Sequence, residues 1–120
     1  MTTYAVLLPA DESTWESATA EQRAAMYEIH GRFAAMLAER GHKILGGAEL
    51  THSRTTKQVR RDASGGVVVS DGPFAETVEQ LTGFYLVESD DLDDLLEVSA
   101  LLANGGAPVE VRATVDQGGE

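Results

Sequence analysis

Gly83-Phe84-Tyr85-Leu86-Val87-Glu88 decides the fold, because both alternating sets of its side chains are apolar. Successive side chains of a strand point to opposite faces, so Phe84 and Leu86 lie on one side and Tyr85 and Val87 on the other. A strand apolar on both sides needs cover on both. Thr3 to Pro9 (Thr-Tyr-Ala-Val-Leu-Leu-Pro) has the same character and reads as a first strand ended by proline.

Working outward, Asp11 to Ala18 reads as a loop, with Trp15 anchoring it to the core. Thr19 opens a helix, its hydroxyl and Gln22 forming a capping box. Met26, His30, Phe33 and Leu37, with Ile29 beside them, make one apolar stripe that Gly41 brings to an end. Lys43 to Thr51 reads as the second strand, where Gly46-Gly47 predicts a bulge or a close backbone approach. Lys57 to Arg61 and Val67 to Ser70 form a hairpin around Asp62 to Gly66. Beyond the central strand, Ser89 or Asp90 caps a second helix with a buried stripe of Leu92, Leu95, Leu96, Ser99 and Leu102. Pro108 to Thr114 is the last strand, and the tail from Asp116 frays.

This order predicts an α+β fold, a ferredoxin-like βαβ-βαβ sandwich with a β-hairpin insertion, in one domain spanning residues 1–115. Two helices cover only one face of such a sheet. The apolar second face predicts a homodimer packed sheet to sheet.

Composition narrows the function classes. The 120 residues carry a formal charge of −11, which speaks against nucleic acid and against anionic membranes as partners. Absence of cysteine removes thiol catalysis and thiolate metal sites and fits a cytoplasmic protein. No export signal is visible and no apolar run reaches membrane-spanning length. His30, His42 and His52 lie on separate elements without metal-ligand spacing, and no phosphate loop, dinucleotide fingerprint or nucleophile elbow is present. No cofactor is expected.

The connector Asp71-Gly-Pro-Phe-Ala-Glu-Thr-Val-Glu-Gln-Leu-Thr-Gly83 is unusually rich in chemistry for a link between strands. Together with Gly83 to Glu88, Asp90-Asp-Leu-Asp, Asp11-Glu-Ser-Thr-Trp and Val109-Glu-Val-Arg, it resembles the DGPF subfamily of YCII-related proteins over nearly the whole chain. The resemblance implies a dimeric α/β barrel of ferredoxin-like protomers and a cofactor-independent His–Asp acid/base pair. A relative is a dehydrochlorinase acting on a substituted hydroquinone. Members also accompany extracytoplasmic-function sigma factors, which implies a regulatory alternative. The chain departs from the pattern at Val78, where lysine is usual, and at Ala113, where proline is common. Loss of the lysine removes an anion contact.

His30 lies eleven residues before Gly41, a spacing similar to that of the YCII helix histidine. Imidazole titrates near neutrality and moves protons in either direction. Its plainer role is a core-edge histidine bonded to a carbonyl. Asp71 either orients that histidine or serves the Asp-Gly-Pro turn, and the two roles are compatible. Phe74 and Glu76 are candidate substrate contacts, against a packing role for the ring and a solvated one for the carboxylate. Tyr85 or Arg112 would steady developing negative charge, and Arg112 has Asp71 or Glu76 as possible partners. Arg54, Lys57, Arg60 and Arg61 either draw an anion to the pocket mouth or charge an edge strand against aggregation. Two functions follow: a cofactor-independent lyase or isomerase acting on a small organic molecule, or a non-enzymatic binding or regulatory dimer linked to a sigma factor.

Overall fold

A computed structural model describes residues 1–72 and 78–116, the side chains at 104 and 105 excepted. Along the chain come β1 (Thr2–Asp11), α1 (Glu12–Glu16), α2 (Ala20–Glu39), β2 (Lys43–Glu49), β3 (Lys57–Arg61), β4 (Val67–Asp71), β5 (Glu79–Ser89), α3 (Leu92–Ser99) and β6 (Glu110–Ala113). Short 3-10 turns occupy Ser53–Thr55 and Ala100–Gly106. The main sheet has the order β2-β5-β1-β6, with every neighbouring pair antiparallel. This is the ferredoxin-like α+β arrangement, with β3 and β4 inserted as a separate two-stranded hairpin.

Register decides which side chains share a face. Val6 pairs with both Tyr85 and Val111, and Tyr4 pairs with Val87, so this set faces the helices. There Val6 and Val87 join Phe33, Leu37, Leu95, Val98 and Leu102 in the core. Ala5 pairs with Leu86 and Arg112, and Leu7 with Phe84, on the opposite face, which no helix among the described residues covers. No residue of that face is fully buried.

The helix boundaries follow from local chemistry. Thr19 Oγ1 accepts from Gln22 N–H at 3.1 Å while Gln22 Oε1 accepts from Thr19 N–H at 2.8 Å, completing the capping box. Gly41 ends α2 at φ +84°, a conformation that costs a β-carbon-bearing residue. The expected loop from Asp11 to Ala18 is instead the end of β1 and the helix α1. Asp11 Oδ1 caps it, accepting from Ser13 N–H at 3.0 Å and Ser13 Oγ–H at 2.7 Å. Trp15 lies in that helix and stays partly exposed, packing edge-on to Tyr27 rather than into the core.

Two details of α3 differ from the sequence expectation. Its cap is Asp91, whose Oδ1 accepts from Asp94 N–H at 3.1 Å, and not Ser89 or Asp90. Its buried stripe is Leu95, Val98, Ser99 and Leu102, with Leu92 40% and Leu96 46% exposed. Ser89 instead sits two residues before the cap, its Oγ accepting from Asp91 N–H at 3.0 Å while buried against His42. His42 Nδ1 lies 2.8 Å from Ser89 Oγ, and its Nε2–H donates to Asp94 Oδ2 at 2.7 Å. That hydrogen bond, ahead of the Arg40 guanidinium, holds the Asp94 carboxyl below its usual pKa. One histidine thus staples the α2–β2 junction, the end of β5 and the first turn of α3.

The molecule is thin, measuring 52 × 46 × 18 Å. Its radius of gyration is 16.9 Å, against about 14 Å for a compact chain of this length. The β3–β4 hairpin stands clear of the main sheet and exposes Val59, Val67 and Val69 on one face. No helix among the described residues is long and apolar enough to cross a membrane.

The predicted Gly46-Gly47 bulge is present as a register shift between Ile44 and Gly46. A Cβ added at Gly47, where φ is +149°, would lie 2.4 Å from Phe84 O and 3.0 Å from Tyr85 Cα. One at Gly46 would meet nothing within 4 Å. Urea unfolding of Gly47→Ala is expected to show a loss of about 2 kcal/mol or more, with Gly46→Ala within about 0.5 kcal/mol of the parent. Equal, small losses would contradict the close approach.

Candidate functional site

Arg23, Tyr27 and His30 recur at spacings of four and three along α2, beside the core stripe, and so share one side of the helix. That side overhangs the ends of β1, β2 and β5 and opens onto a cleft of about 820 Å³. Leu8, Met26, Leu102 and Pro108 give it an apolar lining, with His30 and Tyr85 supplying polar atoms. Trp15, Tyr27, Glu49 and His52 line it as well.

Its chemical centre is the contact between His30 and Tyr85. Phe33 packs on the Tyr85 ring at a centroid separation of 5.1 Å, and one turn earlier His30 Nδ1 lies 2.6 Å from the Tyr85 hydroxyl. Burial lowers the His30 pKa below 6.5, an effect that the Glu49 charge partly offsets. Burial, and then Glu49, raise the Tyr85 phenol above its ordinary value. A lowered histidine pKa leaves the neutral ring dominant at pH 7, and a raised phenol stays protonated. The tautomer that uses the phenolic proton therefore has Tyr85 O–H donating to Nδ1 and the ring proton on Nε2.

Around this centre the cleft wall is held by polar contacts. Tyr27 O–H donates to Glu49, 3.0 and 3.1 Å from its two oxygens, and that bond raises the Tyr27 pKa. Arg23 lies over the Trp15 ring and donates to Trp15 O at 2.9 Å and Glu16 O at 3.2 Å, closing the carbonyl end of α1. Glu12 accepts from Ser53 N–H at 2.7 Å, and Arg54 Nη1 donates to Glu16 at 2.8 Å. His52 Nδ1 accepts from Arg54 N–H at 3.1 Å, leaving its Nε2 3.3 Å from Glu16 Oε1. These bonds fasten the segment after β2 to α1 across the cleft mouth.

The candidates named from sequence are not all brought together. His30 and Tyr85 meet. Asp71 ends β4 on the hairpin, with its side chain 76% exposed and paired to Lys57, so it does not reach His30 within the protomer. Arg112 is exposed and shares the face of Ala5 and Leu86, across the sheet from Tyr85. Phe74 and Glu76 lie outside the described residues. Of the basic cluster, Arg54 lines the cleft, but Glu16 neutralises it. The roles of Glu49, Tyr27 and Glu12 were missed. A tyrosine three residues before His30 on the same helix side was the available signal for Tyr27. Among the described residues, no group of three or more metal-ligating side chains is placed to hold an ion.

The sequence pattern of the YCII-related domain matches residues 2–113. An uncharacterised protein of Rhizobium meliloti (strain 1021), R00369, is 35% identical over 101 residues, covering 84% of this chain and 80% of that protein. With the match running from the first strand through the last, this chain belongs to the YCII-related domain family.

Proposed function

We propose that this protein is a cytoplasmic, cofactor-independent enzyme of lyase or isomerase type that moves a proton on a small organic molecule held in the cleft. The 2.6 Å contact between His30 Nδ1 and the Tyr85 hydroxyl carries this reading. A neutral imidazole hydrogen-bonded to a protonated phenol is a relay ready to accept a proton. As a substrate C–H or O–H bond breaks, its proton passes to Tyr85 Oη while the phenolic proton passes to His30 Nδ1. The electron pair left on the substrate then expels a leaving group or is reprotonated at a neighbouring atom. The Glu49 charge, which already favours protonated His30, steadies the imidazolium formed. Tyr85 thereby takes the position beside His30 that was expected for Asp71.

Proton exchange in deuterated water, followed by NMR over a panel of small cyclic and aromatic compounds with acidic C–H bonds, tests the relay. The protein should accelerate exchange or elimination for at least one of them, and His30→Gln and Tyr85→Phe should each lower that rate by about 10²-fold or more. Asp71→Asn should leave it unchanged, and a loss there would restore Asp71 to the site. Undiminished turnover in folded His30→Gln ends the proposal.

The sheet-to-sheet homodimer is part of the same reading. Among the described residues no helix covers the face shared by Ala5, Leu7, Phe84 and Leu86, and the molecule is only 18 Å thick. A second copy of the chain supplies the same surface and closes the paired sheets into a barrel. Sedimentation equilibrium should return twice the chain mass, and Leu86→Lys should give a folded monomer. A monomeric parent protein would exclude the dimer.

A further inference from the structure

Charge around the cleft points to the kind of molecule it takes, an inference that rests on the cleft being the ligand site. Its lining includes the carboxylates of Asp11, Glu12, Glu16 and Glu49 but only two guanidinium groups, Arg23 and Arg54. Both are held by α1, Arg23 through Nε and Nη2 on the Trp15 and Glu16 carbonyls and Arg54 through its pair with Glu16, and the four carboxylates outnumber them. Among the carboxylates, Asp11 caps α1 and Glu12 accepts from Ser53. Glu49 differs from them. Among the described residues it accepts only the Tyr27 hydroxyl, and no basic side chain pairs with it. Its charge is nonetheless felt inside, where it shifts both His30 and Tyr85.

We infer that Glu49 makes the cleft select ligands with an apolar body and a hydrogen-bond-donating end, uncharged or cationic, and reject carboxylates and phosphates. A ligand anion would meet a lining in which four carboxylates face two guanidinium groups already held by α1, with the Glu49 charge matched by no basic side chain among the described residues. A hydroxyl or an ammonium finds an acceptor already in place, because the Tyr27 bond leaves lone pairs on both Glu49 oxygens. The basic hairpin residues do not alter this. Lys57 is paired with Asp71, and Lys57, Arg60 and Arg61 are absent from the cleft lining.

Trp15 is the chain's single tryptophan and lines the cleft, so its fluorescence reads occupancy directly. The test titrates the full chain at pH 7 and low salt with three probes of one shape: benzylamine, benzyl alcohol and benzoate. Benzylamine and benzyl alcohol should bind at least about tenfold more tightly than benzoate, and added salt should erode the benzylamine preference. Glu49→Gln should shrink the benzylamine-to-benzoate ratio by about fivefold or more. Tyr27→Phe, which removes the same hydrogen bond but keeps the charge, should preserve that ratio. Benzoate binding as tightly as the other two, an unchanged ratio in Glu49→Gln, or no response to any probe up to its solubility would each overturn the inference. His30→Gln separates this test from that of the relay, since it should lower turnover by about 10²-fold or more and leave the benzylamine-to-benzoate ratio intact.

Discussion

The packing of α2 on β5 through Phe33 is the contact on which both the core and the site depend. Phe33 is fully buried against Tyr85 and the apolar set of Val6, Val87 and Leu37. Burying a phenylalanine to this extent stabilises by roughly 2–3 kcal/mol. It also sets the rotation of the helix. With Phe33 turned inward, His30 comes over the outer end of the Tyr85 ring, and Tyr27 and Arg23 follow toward the cleft rim. Tyr85 is fixed from the other side by its register with Val6 in β1 and Gly47 in β2. The same apolar contact that holds the helix down therefore sets the distance between imidazole and phenol.

Desolvation and charge then act on that pair in a consistent way. Burial disfavours the charged form of each group, lowering the histidine pKa and raising that of the tyrosine. The resting state is a neutral pair. Glu49 sits where it can favour the imidazolium once a proton arrives, while the Tyr27 bond holds the carboxylate in place. Asymmetry of this kind suits a proton relay, because burial favours the neutral resting pair and the Glu49 charge favours the transient imidazolium. The His42, Ser89 and Asp94 cluster has a superficially similar composition but different surroundings. Ser89 is 1% exposed and His42 6% exposed, so that cluster is closed to substrates and serves to join three elements.

Much of the fold was legible in the sequence because its signals are local. The run at 83–88 that is apolar on both sets, the Thr19 and Gln22 capping box, the Gly41 stop and the hairpin turn at 62–66 each involve neighbours in the chain. The site was legible only in part, since it depends on register and on side-chain partners from distant segments. His30 was named from its helix position and the family resemblance, with Asp71 expected as its partner, and the structure sets it beside Tyr85 instead. The predicted hairpin, continued by one pair, already sets Lys57 across from Asp71, a pairing that the expected His30 contact overlooked. Tyr85 and Arg112 looked equivalent as charge-steadying groups until strand pairing separated them, with Tyr85 beside Val6 and Arg112 beside Ala5. One residue of register decides the face. The short helix α1 was missed because five residues carry too little periodicity to announce a helix, although Asp11 is a ready cap.

Nitrogen-15 NMR of the imidazole of His30 tests the central claim most directly, because its two ring-nitrogen shifts report protonation and tautomer together. At pH 7 the account predicts a neutral ring, with Nδ1 accepting from Tyr85 and the proton on Nε2. The ring should take up a proton only as pH falls through a midpoint below 6.5, since burial makes the charged form harder to reach. A ring already cationic at pH 7, or one carrying its proton on Nδ1, would contradict it.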